Sequence, residues 1–168
     1  PNFGYNCFGS YGACGDPRKC EHHNAGHAAN LQLALAYSCN SYFLQVFRMA
    51  IDNPKYKSAK GGYVKWKEYM NAFGFGRKLG VDLPSENKAN IPDTAKYSKD
   101  FGNPKYWNSC YMLTLGIGQD RMTATPLQLA NSMAFIANDG YYYTPHFVDS
   151  IESETQEEAA QLAPFRKK

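Results

Sequence analysis

The sequence predicts a mainly α fold, with a loop- or hairpin-rich N-terminal segment and one strand near the C-terminus. Three observations carry that expectation. Apolar residues recur at helical spacing after Ala28 and again from Tyr63 to Phe73. Thr125-Pro126-Leu127-Gln128 reads as a helix start, with a capping Thr, Pro in the first turn and Gln closing a capping box. Residues 1–27, by contrast, are rich in Gly, Cys, Asn and His and show no helical period.

Composition bounds the rest. The 168 residues suffice for a core, and 15% aromatic content, with 13 Tyr and 10 Phe, argues against disorder over most of the length. A net charge of +3 is too small to point to nucleic acid or an anionic membrane. No apolar run approaches the roughly eighteen residues that a membrane-spanning helix needs. The chain starts at Pro1-Asn2-Phe3 without Met or signal peptide, which suits an excised segment of a longer protein. The expected organisation is a single partial domain: a Cys/His-rich loop segment over 1–27, a helical subdomain over 28–140, and a strand and frayed tail over 141–168.

In chain order, Leu31, Ala34 and Leu35 share one helix face, which Ser38-Cys39-Asn40 interrupts. Tyr42, Phe43, Val46, Phe47, Met49 and Ala50 follow, apolar nearly all round, so this second helix belongs in a core and places Ser38 and Asn40 at its mouth. Residues 52–62 form a Lys- and Gly-rich connector. Tyr63, Trp66, Met70 and Phe73 mark a third helix, stopped by Gly74 and Gly76. Residues 77–105 are expected to be mostly ordered loop. Leu127, Ala130, Ala134 and Ala137 continue the helix that Thr125 starts, and Asn138-Asp139-Gly140 ends it. Residues 145–152 can form a strand. Lys55, Lys57, Lys60, Lys65 and Lys67 with Tyr56, Tyr63 and Trp66 imitate a nucleic-acid patch, but a solvated helix face explains them better. Tyr141-Tyr142-Tyr143 suit a carbohydrate or partner surface, or a strand edge packed on a helix.

Three blocks in fixed order carry a family resemblance. They are Ala34 to Gln45 around Ser38-Cys39-Asn40, Phe73-Gly74-Phe75-Gly76 with Gly80-Val81-Asp82-Leu83-Pro84-Ser85-Glu86, and Gly116-Ile117-Gly118-Gln119 with Thr125 to Ala130 and Ile136-Ala137-Asn138. This set resembles the transpeptidase domain of class B penicillin-binding proteins, in particular the cell-elongation type. The resemblance implies a helical subdomain of the α/β serine transpeptidase (β-lactamase-like) fold. It implies a periplasmic parent, anchored to the inner membrane outside this chain, that cross-links peptidoglycan stem peptides by serine acyl transfer. Such an enzyme is inhibited by β-lactams and works with other cell-wall elongation proteins. By the same resemblance Ser38 and Asn40 are the catalytic residues of the Ser-x-Asn motif. Asn40 as a mere helix cap is the bland reading of that residue.

Two departures stand out, Asp120 where the family usually has Gly and Leu79 where it often has Thr. The Ser-x-x-Lys motif is expected upstream of Pro1 and Lys-Thr-Gly downstream of Lys168, so the 168 residues alone should be inactive. Ser85-Glu86-Asn87-Lys88 and Lys78-Leu79-Gly80 only imitate these motifs: Ile91-Pro92 follows the first, and the second lacks a hydroxyl.

Some similar proteins bind zinc through the middle residue of Ser-x-Asn. Cys7-x12-Cys20-x6-His27-x11-Cys39 offers three thiolates and one imidazole, a set suited to structural zinc. His22 or His23 are alternatives to His27, and Cys14 or Asp16 to Cys7. A Cys7–Cys20 or Cys14–Cys20 disulfide, or buried free thiols, are the competing readings. Cys110 reads as a small buried hydrophobe. A zinc- or disulfide-stapled helical partner-binding module, and a β-lactamase or β-lactam sensor of the same fold, are the rival functions.

Overall fold

The computed structural model describes residues 3–22, 26–102, 105 and 107–148. The chain forms two compact units, one of Pro1–Trp66 and Pro92–Met122 and the other of Lys67–Ile91 and Thr123–Lys168.

The first unit opens with the expected short hairpin. Strands β1 (Ser10–Tyr11) and β2 (Arg18–Lys19) pair antiparallel, with Ser10 opposite Lys19. A hairpin of two-residue strands is not stable by itself. This one is held from outside: the Tyr11 hydroxyl donates to Gln45 Oε1 at 2.7 Å, and Cys14 in its turn forms a disulfide with Cys110. Cys110 is therefore half of a cross-link, not a lone buried hydrophobe.

Helix α1 (Leu31–Ala36) starts at Asn30, whose side chain accepts from the Leu33 N–H, and helix α2 (Asn40–Ile51) follows after three residues. As expected, α2 is the centre of the unit. Tyr42, Leu44, Phe47 and Ile51 are buried, although Val46 and Met49 remain exposed. Its main neighbour is a 3₁₀ segment, Ser109–Ile117, which approaches so closely that a side chain at Gly116 would sit 2.6 Å from Phe47 Cβ. A core of Phe47, Ile51, Tyr63, Tyr97, Met112 and Leu115 results, with the Tyr63 and Tyr97 rings 5.3 Å apart, edge to face. Asp52, capping α2, accepts from the buried Ser109 hydroxyl at 2.6 Å.

Helix α3 (Ala59–Ala72) agrees with the expected period and ends at Gly74, where φ is +99°. The loop expected over 77–105 contains a further helix, α4 (Thr94–Asp100), capped by Asp93, whose carboxylate accepts from the Lys96 N–H at 2.7 Å.

In the second unit, helix α5 (Pro126–Ala137) has the capping box that its sequence announces. Its buried face is polar. Gln128, Asn131 and Ser132 point inward, while Leu129, Met133 and Ile136 are exposed. The reason is hydrogen-bond supply. The Phe73 to Ile91 segment leaves carbonyls that no strand or helix satisfies, and α5 answers them. Gln128 Nε2 donates to Arg77 O and Lys88 O, each at 2.9 Å, and Asn131 Nδ2 donates to Phe73 O at 3.2 Å. Gln128→Ala takes the donor from the Arg77 and Lys88 carbonyls, at about 0.5–1.5 kcal/mol for each lost hydrogen bond. The expected result is a thermal midpoint lower by roughly 2–12 °C, measured by calorimetry.

Glu86 closes the same loop by accepting from the N–H groups of Leu79, Gly80 and Val81. Ser85 and Lys88 thus lie in loop, as expected of an imitation motif. Of the strand expected over 145–152, residues 145–148 are not strand, and 149–152 lie outside the described residues. The Phe147 and Val148 N–H groups go to the Asp82 carboxylate, at 2.9 and 2.8 Å, instead of to a neighbouring strand. Those bonds, the Phe147 N–H foremost, hold the Asp82 carboxyl below its ordinary range. Because the folded value is depressed, the contribution is present above the ordinary Asp value and lost as pH falls through the lowered one. In an acid titration followed by NMR, the Phe147 and Val148 amide shifts should move together with the Asp82 carboxyl, and in Asp82→Asn that inflection should vanish.

Candidate functional site

The turn between α1 and α2 sets the site. Ser38 N–H donates to Leu35 O at 3.1 Å and Cys39 N–H to Ala34 O at 2.8 Å. This double closure requires the residue after the helix to be left-handed, a place usually held by Gly. Here it is Ser38, at φ +48°. A non-glycine residue in that region costs on the order of 1 kcal/mol or more, and such strain tends to gather where a side chain is needed.

The turn separates its three side chains. Cys39 is fully buried, Ser38 is exposed and Asn40 is half-buried. Cys39 is the N-cap of α2 and makes no side-chain capping bond. Asn40 is the first helical residue and donates from Nδ2 to Lys19 O, the last residue of β2, at 3.0 Å. Asn40 is therefore not the helix cap that the bland reading made it.

Behind the turn, Cys39 meets Cys7, Cys20 and His27. The four possible ligand atoms, three Sγ and one imidazole nitrogen, lie within 4.8 Å of one another, and all four residues are buried. Cys20 Sγ is 3.8 Å from Cys39 Sγ and 3.9 Å from His27 Nε2. Two sulfurs bound to tetrahedral zinc at about 2.3 Å stand about 3.8 Å apart, so the set fits such an ion. Cys7 Sγ reaches the Ser41 hydroxyl at 3.2 Å. The fold selects among the alternative ligands. Cys14 is bonded to Cys110, Asp16 pairs with Arg18 in solvent, and the His22 ring packs on those of His27 and Tyr37. His23 lies outside the described residues.

The two neighbouring thiols differ. Burial raises the Cys20 thiol, but hydrogen bonds from the His22 backbone, the His27 side chain, the Asn40 backbone and Cys39 outweigh it and leave the thiol below its ordinary range. Burial pushes Cys39 well above that range, and Cys7 and Cys20 add to the effect. Cys20 is thus the more acidic of the two thiols.

A family model described as the penicillin-binding protein transpeptidase domain matches residues 13–168. The chain belongs to that family. It is 34% identical over 134 residues to the peptidoglycan D,D-transpeptidase MrdA of Haemophilus influenzae, covering 79% of this chain and 18% of that protein. A crystal structure of Pseudomonas aeruginosa PBP2 matches with TM-score 0.68 and 26% identity, over 89% of this chain and 32% of that one. PBP2 of Helicobacter pylori, in a complex with MreC, shares the fold at TM-score 0.68 and 24% identity, over 98% of this chain and 29% of that one. The chain thus spans about a fifth of the length of the MrdA relative it matches. The helical fold agrees with the serine transpeptidase expectation.

Within the family's blocks, Asp120 has a local role. It accepts from the Thr114 hydroxyl at 3.2 Å and from the Arg121 N–H. Sequence reasoning missed the Lys19 carbonyl as the partner of Asn40, because a backbone acceptor leaves no mark in residue identity. It missed the Glu86 clamp as well, although Glu86 closes a quoted motif block. No helix among the described residues is long and apolar enough to cross a membrane.

Proposed function

We propose that this chain forms one wall of the acylation cleft of a cell-elongation peptidoglycan D,D-transpeptidase, periplasmic and anchored to the inner membrane. The observation that supports this most is the turn at 38–40, with Cys39 buried, Ser38 exposed and Asn40 half-buried beside it. In the proposed reaction a serine of the Ser-x-x-Lys motif, on chain outside these 168 residues, attacks the penultimate D-Ala carbonyl of a stem peptide. Its lysine takes the hydroxyl proton. The Ser38 hydroxyl relays a proton to the leaving amine, so that terminal D-Ala departs neutral at nitrogen, and the Asn40 amide holds substrate and lysine in register. A neighbouring strand's amine then displaces the enzyme serine. β-Lactams enter as mimics of the stem peptide, and cell-wall elongation proteins such as MreC are the expected partners.

Cys7, Cys20, His27 and Cys39 would hold a structural zinc, and its chemistry is ligation alone. With Cys39 held from behind, Ser38 and Asn40 keep their directions, and Cys20 steadies Lys19, the carbonyl partner of Asn40. The test is labelling by fluorescent penicillin. The full-length protein should be labelled and the 168-residue chain should not. Failure of the full-length protein to label contradicts the proposal.

A further inference from the structure

This chain carries a disulfide and three reduced thiols together. Cys14 is bonded to Cys110, whereas Cys7, Cys20 and Cys39 are free and buried. A compartment that makes and keeps the first bond is oxidising. Thiols clustered within 4.8 Å then need a reason to stay reduced, and bound metal supplies one. Cys20 Sγ and Cys39 Sγ are 3.8 Å apart, within reach of each other, and Cys7 Sγ, which also neighbours Cys39, donates to the Ser41 hydroxyl at 3.2 Å. A disulfide holds its sulfurs at about 2.05 Å, so the pair must close by less than about 2 Å.

We propose that Cys20 and Cys39 form an oxidation site guarded by the metal, resting on the zinc reading above. While zinc is bound, both sulfurs are ligands and stay apart. Once it is lost, a disulfide oxidant such as glutathione disulfide joins them. One protein thiolate attacks the oxidant and expels a glutathione thiolate, leaving a mixed disulfide. The second attacks the protein sulfur of that bond and expels the other glutathione. Two protein thiols are oxidised, one glutathione disulfide is reduced, and the two protein protons end on the two glutathione thiols.

The product cannot ligate zinc through either sulfur, so metal loss becomes irreversible until a reductant acts. Cys39 stands between Ser38 and Asn40, and closing the pair displaces the turn that carries both. A shift of about 1 Å at positioned catalytic groups is enough to slow a reaction roughly 100-fold.

The experiment uses the full-length protein, as purified and after chelation, each with and without glutathione disulfide. Metal content is measured first. Thiols are then alkylated, and unreduced peptides are mapped by mass spectrometry. Zinc-loaded protein should keep Cys7, Cys20 and Cys39 alkylatable in oxidant. Chelated protein should lose two hydrogens, join the Cys20 and Cys39 peptides, and take up zinc again only after dithiothreitol. Three alkylatable thiols after chelation and oxidant, glutathione caps without a protein bond, or a bond involving Cys7 would each overturn the proposal. Protein that holds no zinc as purified and takes none up when offered it fails the zinc reading, whereas zinc-loaded protein that joins Cys20 to Cys39 as readily as chelated protein overturns the guard alone.

Discussion

Stripping zinc from the full-length protein should melt residues 26–39 while most of α2 survives. The buried residues of the cluster that holds this segment are Cys7, Cys20, Ala28, Ala34, Cys39 and Tyr42, with Phe3, Tyr5 and Phe43 packed against them. Three of the six buried residues are proposed ligands, so half of the buried set takes its place from the metal. The local elements are short: β1 and β2 have two residues each and α1 has six, far below the length at which a helix persists by itself. A structural zinc contributes about 10 kcal/mol or more of apparent binding energy, comparable to the whole stability of a typical domain. The competing support, the Cys14–Cys110 bond and the Tyr11–Gln45 hydrogen bond, fixes the hairpin to the body of the unit but does not order residues 26–39. Hydrogen exchange after chelation should show protection lost there and retained at Leu44 to Ile51. Cys39→Ser removes a ligand, a change of about 4 kcal/mol or more, and should lower the thermal midpoint by roughly 8–16 °C. Protons compete with zinc for the thiolates, so this stabilisation should fade as pH falls below neutral. A melting curve indifferent to chelator would show that packing alone holds the cluster.

The second large effect is catalytic. Ser38→Ala and Asn40→Ala in the full-length protein should leave folding intact and slow acylation by a labelled penicillin, by about 10²–10⁴-fold for a lost proton relay. A sharper variant follows from the backbone. Ser38 occupies a left-handed position that glycine accepts without strain. Ser38→Gly should therefore raise the melting temperature above that of Ser38→Ala, by about 1 kcal/mol in stability, yet acylate as slowly. A Gly variant that acylates at the original rate would show that Ser38 is there only for the turn.

Much of this was legible from residue order. Helices α1, α2, α3 and α5 follow apolar periodicity or capping chemistry, which are local. The proposed ligands could be named because thiols and imidazoles have few other uses in a short loop. What escaped depends on tertiary placement. The Cys14–Cys110 bond joins residues 96 positions apart, and nothing near either cysteine marks its partner. Helix α4 hid among Pro84, Pro92 and Pro104, although Asp93 and the Tyr97/Phe101 spacing signal it. The 3₁₀ run Ser109–Ile117 is apolar without a 3.6-residue period. The polar inner face of α5 answers carbonyls of a distant loop, which no pattern within the helix announces.

The central physical claim is that a buried Cys39, tied down from behind, aims the side chains on either side of it. The direct test follows the rate of penicillin acylation in the full-length protein as zinc is removed and restored under reducing conditions. A fall on removal and recovery on restoration is the predicted result. The same rate with and without zinc would contradict it.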